Sequence, residues 1–485
     1  MLNPLPVTLL PPMSDNFHPF FEKMTAAKLP SALIRSFQFY YNQLHAGNTG
    51  YIPGSQALPI DNLPQAGEIA RYCTSGQGLL GRLAVIKLNG GLGTSMGMEG
   101  PKSLLPVKDG LSFLDIIARQ VLKLREGNRA TLPLLLMNSF STSRDSLAAL
   151  SQYPSLANGL PLDFLQHKVP KVRQDSLTPV AWPEDPDKEW CPPGHGDIYL
   201  ALQTSGLLEI LLDRGIEYAF VSNADNLGAI VDTSILGYMA SENISFLMEV
   251  TERTIADRKG GHLAQSPDGG LLLREIAQCP PGEEESFQDI TRYRFFNTNN
   301  LWVHLPTLAR LLKQYDGVLP LPLIRNSKPV DPTRPTSTPI YQLETAMGLA
   351  ISLFDNSQAI SVPRNRFRPV KKCNDLLALW SDAYVLTDSY RVRLHPARHN
   401  GQAPSGDPLV TLDERFYGLI DEMQARFPSG APSLRYCRSL TVTGDVCFGR
   451  DVVIEGDVHI CNPATSPRQI ADGSRLSGNV ILGNQ

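Results

Sequence analysis

Nowhere in its 485 residues does this chain carry an apolar run approaching the roughly 20 residues that span a bilayer, so membrane insertion is not expected. Its seven cysteines are odd in number, widely scattered and free of any C-x-x-C pair. That pattern excludes a disulfide framework and the common zinc and dithiol motifs, and it fits reduced thiols in a cytoplasm. Charge is sparse as well: 19% of residues are charged, the net charge is −4 and the pI is about 6.2, so there is no basic field for nucleic acid. An anionic substrate must then be held by local groups. The apolar stretch Met1–Pro12 lacks a basic start and is broken by prolines, which argues against a signal peptide.

Two familiar phosphate-binding patterns are missing too. The P-loop needs Gly-Lys-[Ser/Thr], but Pro101 precedes Lys102. The dinucleotide fingerprint G-x-G-x-x-G nearly fits at Gly91 and Gly93, yet the next glycine is Gly97, one position late, and the loop runs on through Gly100-Pro101 instead of entering a helix. What is present is a strand, Leu83–Leu88, that empties into Asn89-Gly-Gly-Leu-Gly-Thr-Ser-Met-Gly-Met-Glu-Gly-Pro-Lys102. Five glycines in so short a loop let backbone N–H groups turn towards one anion, and Lys102 adds a point charge.

From Arg82 to about Phe367, strand-like runs (Leu83–Leu88, Leu132–Met137, Tyr218–Ser222, Ser245–Val250, Leu301–Leu305) alternate with helical patterns (Ser112–Arg125, Ile198–Arg214, Gln342–Phe354). The alternation predicts an α/β sheet with crossover helices. Asp197 reads as a helix N-cap and Gly215 as its stop, with the proline-rich Trp182–Pro193 segment before it a surface loop able to fold over a site. Lys259-Gly-Gly-His262 reads as a hairpin turn. Near the C-terminus, Val442, Phe448, Ile454 and Ile460 lie six apart, as do Val446, Val452 and Val458, and Ile470, Leu476 and Leu482 resume the period. Interleaved apolar hexads are the pattern of a β-helix, against an accidental β-meander. The expected division is a helical region over 1–66, a catalytic domain over 67–385 and a β-helix over 386–485.

The glycine loop resembles the signature of the UTP–glucose-1-phosphate uridylyltransferases, in which Leu-Asn-Gly-Gly-Leu-Gly-Thr-x-Met-Gly precedes Lys-Ser or Lys-Thr. The resemblance continues in the family's order through Gln166-His-Lys-Val-Pro-Lys171, Pro192-Pro-Gly-His-Gly-Asp197, Val221-Ser-Asn-Ala-Asp-Asn-Leu-Gly228, Phe296-Asn-Thr-Asn-Asn-Leu-Trp302, Tyr341-Gln-Leu-Glu-Thr-Ala-Met-Gly348 and Phe367-Arg-Pro-Val-Lys371. It implies a Rossmann-like nucleotide-diphosphosugar transferase domain with a mixed central sheet, a C-terminal left-handed β-helix, and the reaction of UTP with glucose 1-phosphate to give UDP-glucose and pyrophosphate. Membership would also leave the chain a monomer or a homo-oligomer built through its C-terminal domain.

Each candidate residue carries a plainer reading beside the functional one. Asp225 follows an apolar strand, where a carboxylate holds Mg2+ between phosphates or simply forms a turn. Lys371 ends a basic stretch that is either a solvated run or aimed at the transferring phosphoryl group, the role the resemblance gives it. Phosphoryl transfer depends on alignment and charge neutralisation, so Lys102, Lys371 and an Asp225-held ion suffice without a protein nucleophile. Leu88, Asn89, Gly90 and Gly91 would cradle the nucleotide. By resemblance Gln166 and Gly194 meet the uracil and His195 the sugar phosphate, although a solvated glutamine and a structural histidine are the bland alternatives. Asn223, Ala224, Asn297 and Glu344 are candidates for the sugar phosphate's side of the pocket, and turn-forming roles suit the asparagines equally. The rivals are a broad-specificity UDP-sugar pyrophosphorylase, an inactive UDP-sugar binding scaffold, and a nicotinamide oxidoreductase. The last requires an acidic residue where the second strand instead ends in Met137-Asn138-Ser139.

Overall fold

The computed structural model describes residues 13–398, 401 and 403–483; the Met1–Pro12 stretch read above lies outside them. Its centre is a nine-stranded mixed sheet made of β1 (Leu83–Asn89), β2 (Leu134–Asn138), β3 (Asp163–Leu165), β4 (Tyr218–Asn223), β5 (Phe246–Glu252), β6 (His262–Gln265), β7 (Leu271–Arg274), β8 (Phe295–His304) and β9 (Ser357–Ser361). The strand order is β7-β6-β8-β4-β1-β2-β3, and β5 pairs with β8 and β9. β1 is parallel to both β2 and β4, whereas β8 runs antiparallel to β4 and β5.

Because side chains alternate along a strand, β1 feeds two cores. Leu83 and Val85 join Leu134, Leu136 and Phe220 on one face, and Ala84 and Ile86 join Leu135, Ala219 and Val221 on the other. A strand covered on both faces must be almost wholly apolar, which is why the Leu83–Ile86 run was legible as a strand. The first face is covered by a helix over Phe113–Asn128, started by a capping box in which Ser112 and Asp115 satisfy each other's backbone N–H groups. The second is covered by the helices Ile198–Thr204 and Leu207–Asp213.

Several local expectations are corrected. The pattern over Ile198–Arg214 is two helices, since Gly206 at φ +74° breaks the run. Asp197 caps neither: it has helical dihedrals, and its carboxylate accepts from the His167 backbone N–H and meets His167 Nδ1, both at 2.8 Å. Gly215 does stop the second helix, at φ +73°. The Gln342–Phe354 segment is not a helix but a strand, Pro339–Glu344, followed by 3-10 turns over Met347–Ser352, because the strand's partner Ile324–Pro329 overrides the helical spacing. Lys259-Gly-Gly-His262 is no hairpin turn; the hairpin joins β6 to β7 through Ser266–Gly270. Part of the Trp182–Pro193 loop is pinned, as Trp190-Cys191 pairs with Val169-Pro170.

Near the N-terminus lie two helices, His18–Ala26 and Ser31–His45, and Phe17, Phe20, Phe37 and Tyr41 pack there into a core shared with Val169, Leu200 and Leu343. At the other end, Leu409–Leu412, Ser433–Thr443, Val453–Cys461 and Arg475–Ile481 form a parallel ladder, and Val446–Phe448 pairs in parallel with Arg468–Ile470. The hexads Val442, Phe448, Ile454, Ile460, Val446, Val452 and Val458 sit inside, all at most 2% exposed; in the resumed series Ile470 is buried but Leu476 and Leu482 are only half-buried.

Candidate active site

Parallel strands aim their carboxyl ends at one edge of the sheet, and the sequence puts its polar motifs there. β1 ends in Leu88 and Asn89. The Asn89 side chain turns inward, donating to Asn138 Oδ1 at 2.7 Å and Ser146 Oγ at 2.8 Å, so both of its amide hydrogens are spent. The chain then passes Gly90 and Gly91, makes a short 3-10 turn over Thr94–Met96 and folds back, so that the Lys102 N–H donates to the Gly91 carbonyl at 3.1 Å. The glycine loop thereby delivers Lys102 to its own mouth. A methyl group at Gly91 would meet nothing within 4 Å, so that side of the loop is open, while Gly90 lies against Gln166 Oε1.

β4 ends one strand away at Asn223, in register with Leu88, and the Ala224 N–H donates back to the Leu88 carbonyl at 3.0 Å. Asp225 is thus held beside the loop, with Oδ2 2.8 Å from Lys102 Nζ. Its other oxygen, Oδ1, is buried with no hydrogen-bond partner among the described residues. A buried carboxylate oxygen left unpaired costs about 1–3 kcal/mol, so it marks a position where a ligand belongs. A segment from far along the chain closes the same turn. The Val370 N–H donates to the Asp225 carbonyl at 3.2 Å, the Arg368 N–H to Asn226 Oδ1 at 2.9 Å, and Asn226 Nδ2 to the Arg366 carbonyl at 3.1 Å. Lys371 follows at once, exposed, its Nζ 5.8 Å from the Phe367 ring centre.

Behind this clamp lies a buried ion pair that the sequence reading did not find. Arg366 grips Glu249 with two guanidinium nitrogens, at 2.6 and 2.5 Å, and Glu249 also accepts from Asn300 and Trp302. Neither motif spacing nor composition marks two partners 117 positions apart.

On the other side of the loop, Gln166 is fixed by its N–H to the Asn138 carbonyl at 2.8 Å and donates through Nε2 to the Gly194 carbonyl at 2.9 Å. Gly194 sits at φ +79°, and a Cβ there would lie 2.2 Å from the Thr345 carbonyl oxygen, so this position admits glycine only. The Met347 N–H donates to His195 Nδ1 at 3.0 Å. Burial pushes the His195 imidazole down to about 4, so the ring is neutral and its one proton is on Nε2, which is therefore a donor. Glu344, partly buried beside Gly194, has its carboxyl pushed upward by desolvation, against the pull of Lys328.

Asn297 lies at a bulge in β8, where the register with β5 shifts between Glu249 and Val250. Its amide is spent locally, on Asn299 Oδ1 at 2.9 Å and the Asn299 N–H at 3.0 Å, and Gly348 packs against its Nδ2. Its backbone N–H reaches the Gly261 carbonyl at 3.0 Å, and directly over Gly261 sits the carboxyl of Glu275, which desolvation pushes up to about 7. The Glu275 side chain also closes a capping box with Gln278 at the start of the 3-10 turn Ile276–Gln278, an arrangement the sequence reading did not single out. Asn223 is half-buried and Ala224 is buried at the β4 terminus. The structure therefore brings Lys102, Asp225 and the Lys371 segment to one side of the glycine loop and Gln166, Gly194, His195 and Glu344 to the other, with Asn297 joined through Met347-Gly348.

Comparison with known proteins agrees with this geometry. The profile of the family described as UTP–glucose-1-phosphate uridylyltransferase matches residues 35–455. A probable UTP–glucose-1-phosphate uridylyltransferase of Schizosaccharomyces pombe is 42% identical over 88% of this chain and 81% of its own length, and the corresponding protein of Encephalitozoon cuniculi is 40% identical over 94% and 88%. Among solved structures, a mutant UDP-glucose pyrophosphorylase from Leishmania major in complex with UDP-glucose superposes with a TM-score of 0.89 at 45% identity, over 97% of this chain and all of that one. The chain belongs to the UTP–glucose-1-phosphate uridylyltransferase family.

Proposed function

We propose that this protein catalyses UTP + glucose 1-phosphate = UDP-glucose + pyrophosphate, as its family membership and the set of groups around the glycine loop support. The observation that carries the reading is the Lys102–Asp225 pair with its unpartnered Oδ1 at the carboxyl ends of β1 and β4. In-line attack by the sugar phosphate on the α-phosphorus needs alignment and positive charge, and no nucleophile of the protein's own. Backbone of Leu88, Asn89, Gly90 and Gly91 holds the nucleotide, with Gln166 and Gly194 at the uracil. Lys102 steadies the departing pyrophosphate and Lys371, at the exposed rim, the reacting phosphates. His195 Nε2–H donates to the sugar phosphate, and Asn223, Ala224, Asn297 and Glu344 line its side.

Asp225 Oδ1 fits Mg2+, a cation commonly bound through one or two carboxylates plus substrate phosphates. When bound there, the ion would neutralise charge on the phosphate oxygens. Among the described residues no cluster of three or more acidic, histidine or cysteine side chains offers a fuller cage. We also read the C-terminal ladders as a left-handed β-helix, the division at 66 and 385 as the domain boundaries, and the seven free thiols as favouring the cytoplasm. Among the described residues no helix is long and apolar enough to cross a membrane. Assembly, if any, would run through the C-terminal domain.

The test is pyrophosphate release by purified protein given UTP, Mg2+ and a panel of sugar 1-phosphates. Turnover with glucose 1-phosphate alone supports the reading. Equal turnover with the galactose or N-acetylglucosamine compound would make it a broad UDP-sugar pyrophosphorylase, and none with any sugar would leave an inactive UDP-sugar binding scaffold.

A further inference from the structure

A cavity of about 120 Å3 lies between the Phe113–Asn128 helix, strands β1 and β4, and the tip of the Tyr384–Leu394 hairpin. Its walls are mainly apolar, with Ile117, Val121, Phe220 and Val231 among them, yet Lys87, Lys123 and Arg391 line it too. Lys87, 2% exposed, donates to Ser222 Oγ at 2.7 Å and to the Ala229 carbonyl at 2.9 Å; burial and the charge of Arg366 pull it down to about 7, so an anion in the cavity would favour its ammonium form, which has a third hydrogen to give. Arg391 is half-buried, and its guanidinium has no hydrogen bond or ion pair among the described residues. Burial, with Arg393 and Arg366 nearby, pulls the Arg391 guanidinium below its usual range, and only Asp232 opposes them. Lys123, also on the wall, is already paired with Glu126 at an exposed position and adds little.

With three guanidinium groups here and Asp232 alone opposing them, the natural complement of Arg391 is a further anion. The apolar walls require the rest of that anion to be hydrocarbon. One water needs about 10–15 Å3 of such space, so the cavity has room for roughly 8–12 heavy atoms. We propose that this cavity is a second ligand site, taking a small organic carboxylate whose charge meets Arg391 and Lys87 and whose apolar body fills the space against Phe220 and Val231. Its position gives it a route to the chemistry, because Lys87 holds Ser222 and Ala229, residues on either side of Asp225.

Isothermal titration with phenylbutyrate tests this directly, with phenylbutanol as the uncharged control and inorganic phosphate as the control without an apolar body. The expected result is saturable phenylbutyrate binding, undiminished by saturating UDP-glucose, at least tenfold weaker in Arg391→Ala and in the cavity-filling Val231→Trp, with neither control matching it. Thermal melting of both variants shows whether they fold, and Arg391→Ala, altered only at the cavity mouth, keeps the test valid should Val231→Trp not. Absence of saturable binding, equal affinity in Arg391→Ala, equal binding of phenylbutanol or of phosphate, or displacement by UDP-glucose would each overturn the proposal.

Discussion

Lys102 and Asp225 are 123 positions apart in the chain and 2.8 Å apart in space. The glycine loop brings the first and the end of β4 the second, and each leaves the other partly compensated, so the pair is held ready without neutralising Asp225 Oδ1. Lys102→Ala should lower turnover by about 100- to 1000-fold, the scale of removing one charge-stabilising group from a preorganised site. Asp225→Asn should lose as much and raise the Mg2+ concentration needed for half-maximal rate. Lys371→Ala should lose most turnover while still binding UTP. Pyrophosphate release and UTP titration measure these, and a variant within threefold of wild type would remove that residue from the mechanism.

Two glycines of the site make opposite predictions. At Gly194 a methyl group would strike the Thr345 carbonyl and demand φ +79° of an alanine, so Gly194→Ala should destabilise the fold by about 2 kcal/mol or more as well as abolish turnover. At Gly91 the methyl meets nothing, so Gly91→Ala should melt like wild type yet lose turnover by crowding the nucleotide. If Gly91→Ala were as active as wild type, the open side of the loop would not be where the nucleotide lies.

Glu275 sets a pH dependence of stability. Its carboxyl titrates at about 7 instead of 4.5, so between those values the folded chain keeps a proton that the unfolded chain has lost. The folded state binds more protons there, and this group's contribution to stability therefore falls as pH rises from 4.5 to 7. In denaturant titrations Glu275→Gln should show a shallower decline than wild type across that window. Parallel curves would place the carboxyl in a more polar setting.

The Arg366–Glu249 pair behaves as a buried ion pair, costly to break from one side. Glu249→Ala leaves the guanidinium unpaired and should destabilise by about 3–5 kcal/mol, seen as a lower denaturation midpoint. Activity should fall with it, because Arg366 also supplies the carbonyl that holds Asn226. A loss below 1 kcal/mol would mean that water replaces the carboxylate.

The sheet strands and the hexads were legible because burial on both faces, or on the inner face of a parallel ladder, forces an apolar pattern that nothing local contradicts. Helical spacing over Gln342–Phe354 misled because pairing with Ile324–Pro329 outweighs propensity, and Asp197 looked like a cap because its partner, His167, is 30 positions away. The site divides in the same way. Gly90, Gly91, Lys102 and Asp225 stand in motifs whose backbone geometry follows from glycine and strand ends, whereas Glu275 and the Glu249–Arg366 pair depend on contacts that only the folded sheet creates.

The clamp on the Asp225 turn also sets an order of assembly. Asn226 waits for Arg368, which leaves the ribosome 142 residues later, a delay of about 7–30 s at ordinary elongation rates. During that interval the nascent chain already carries the glycine loop, Gln166 and Asp225 but lacks the Arg366–Val370 backbone that braces the Asp225 turn. A chain cut short before Arg368 would therefore display the family's most recognisable motif and remain inert, so that competence is acquired only once most of the polypeptide has been made.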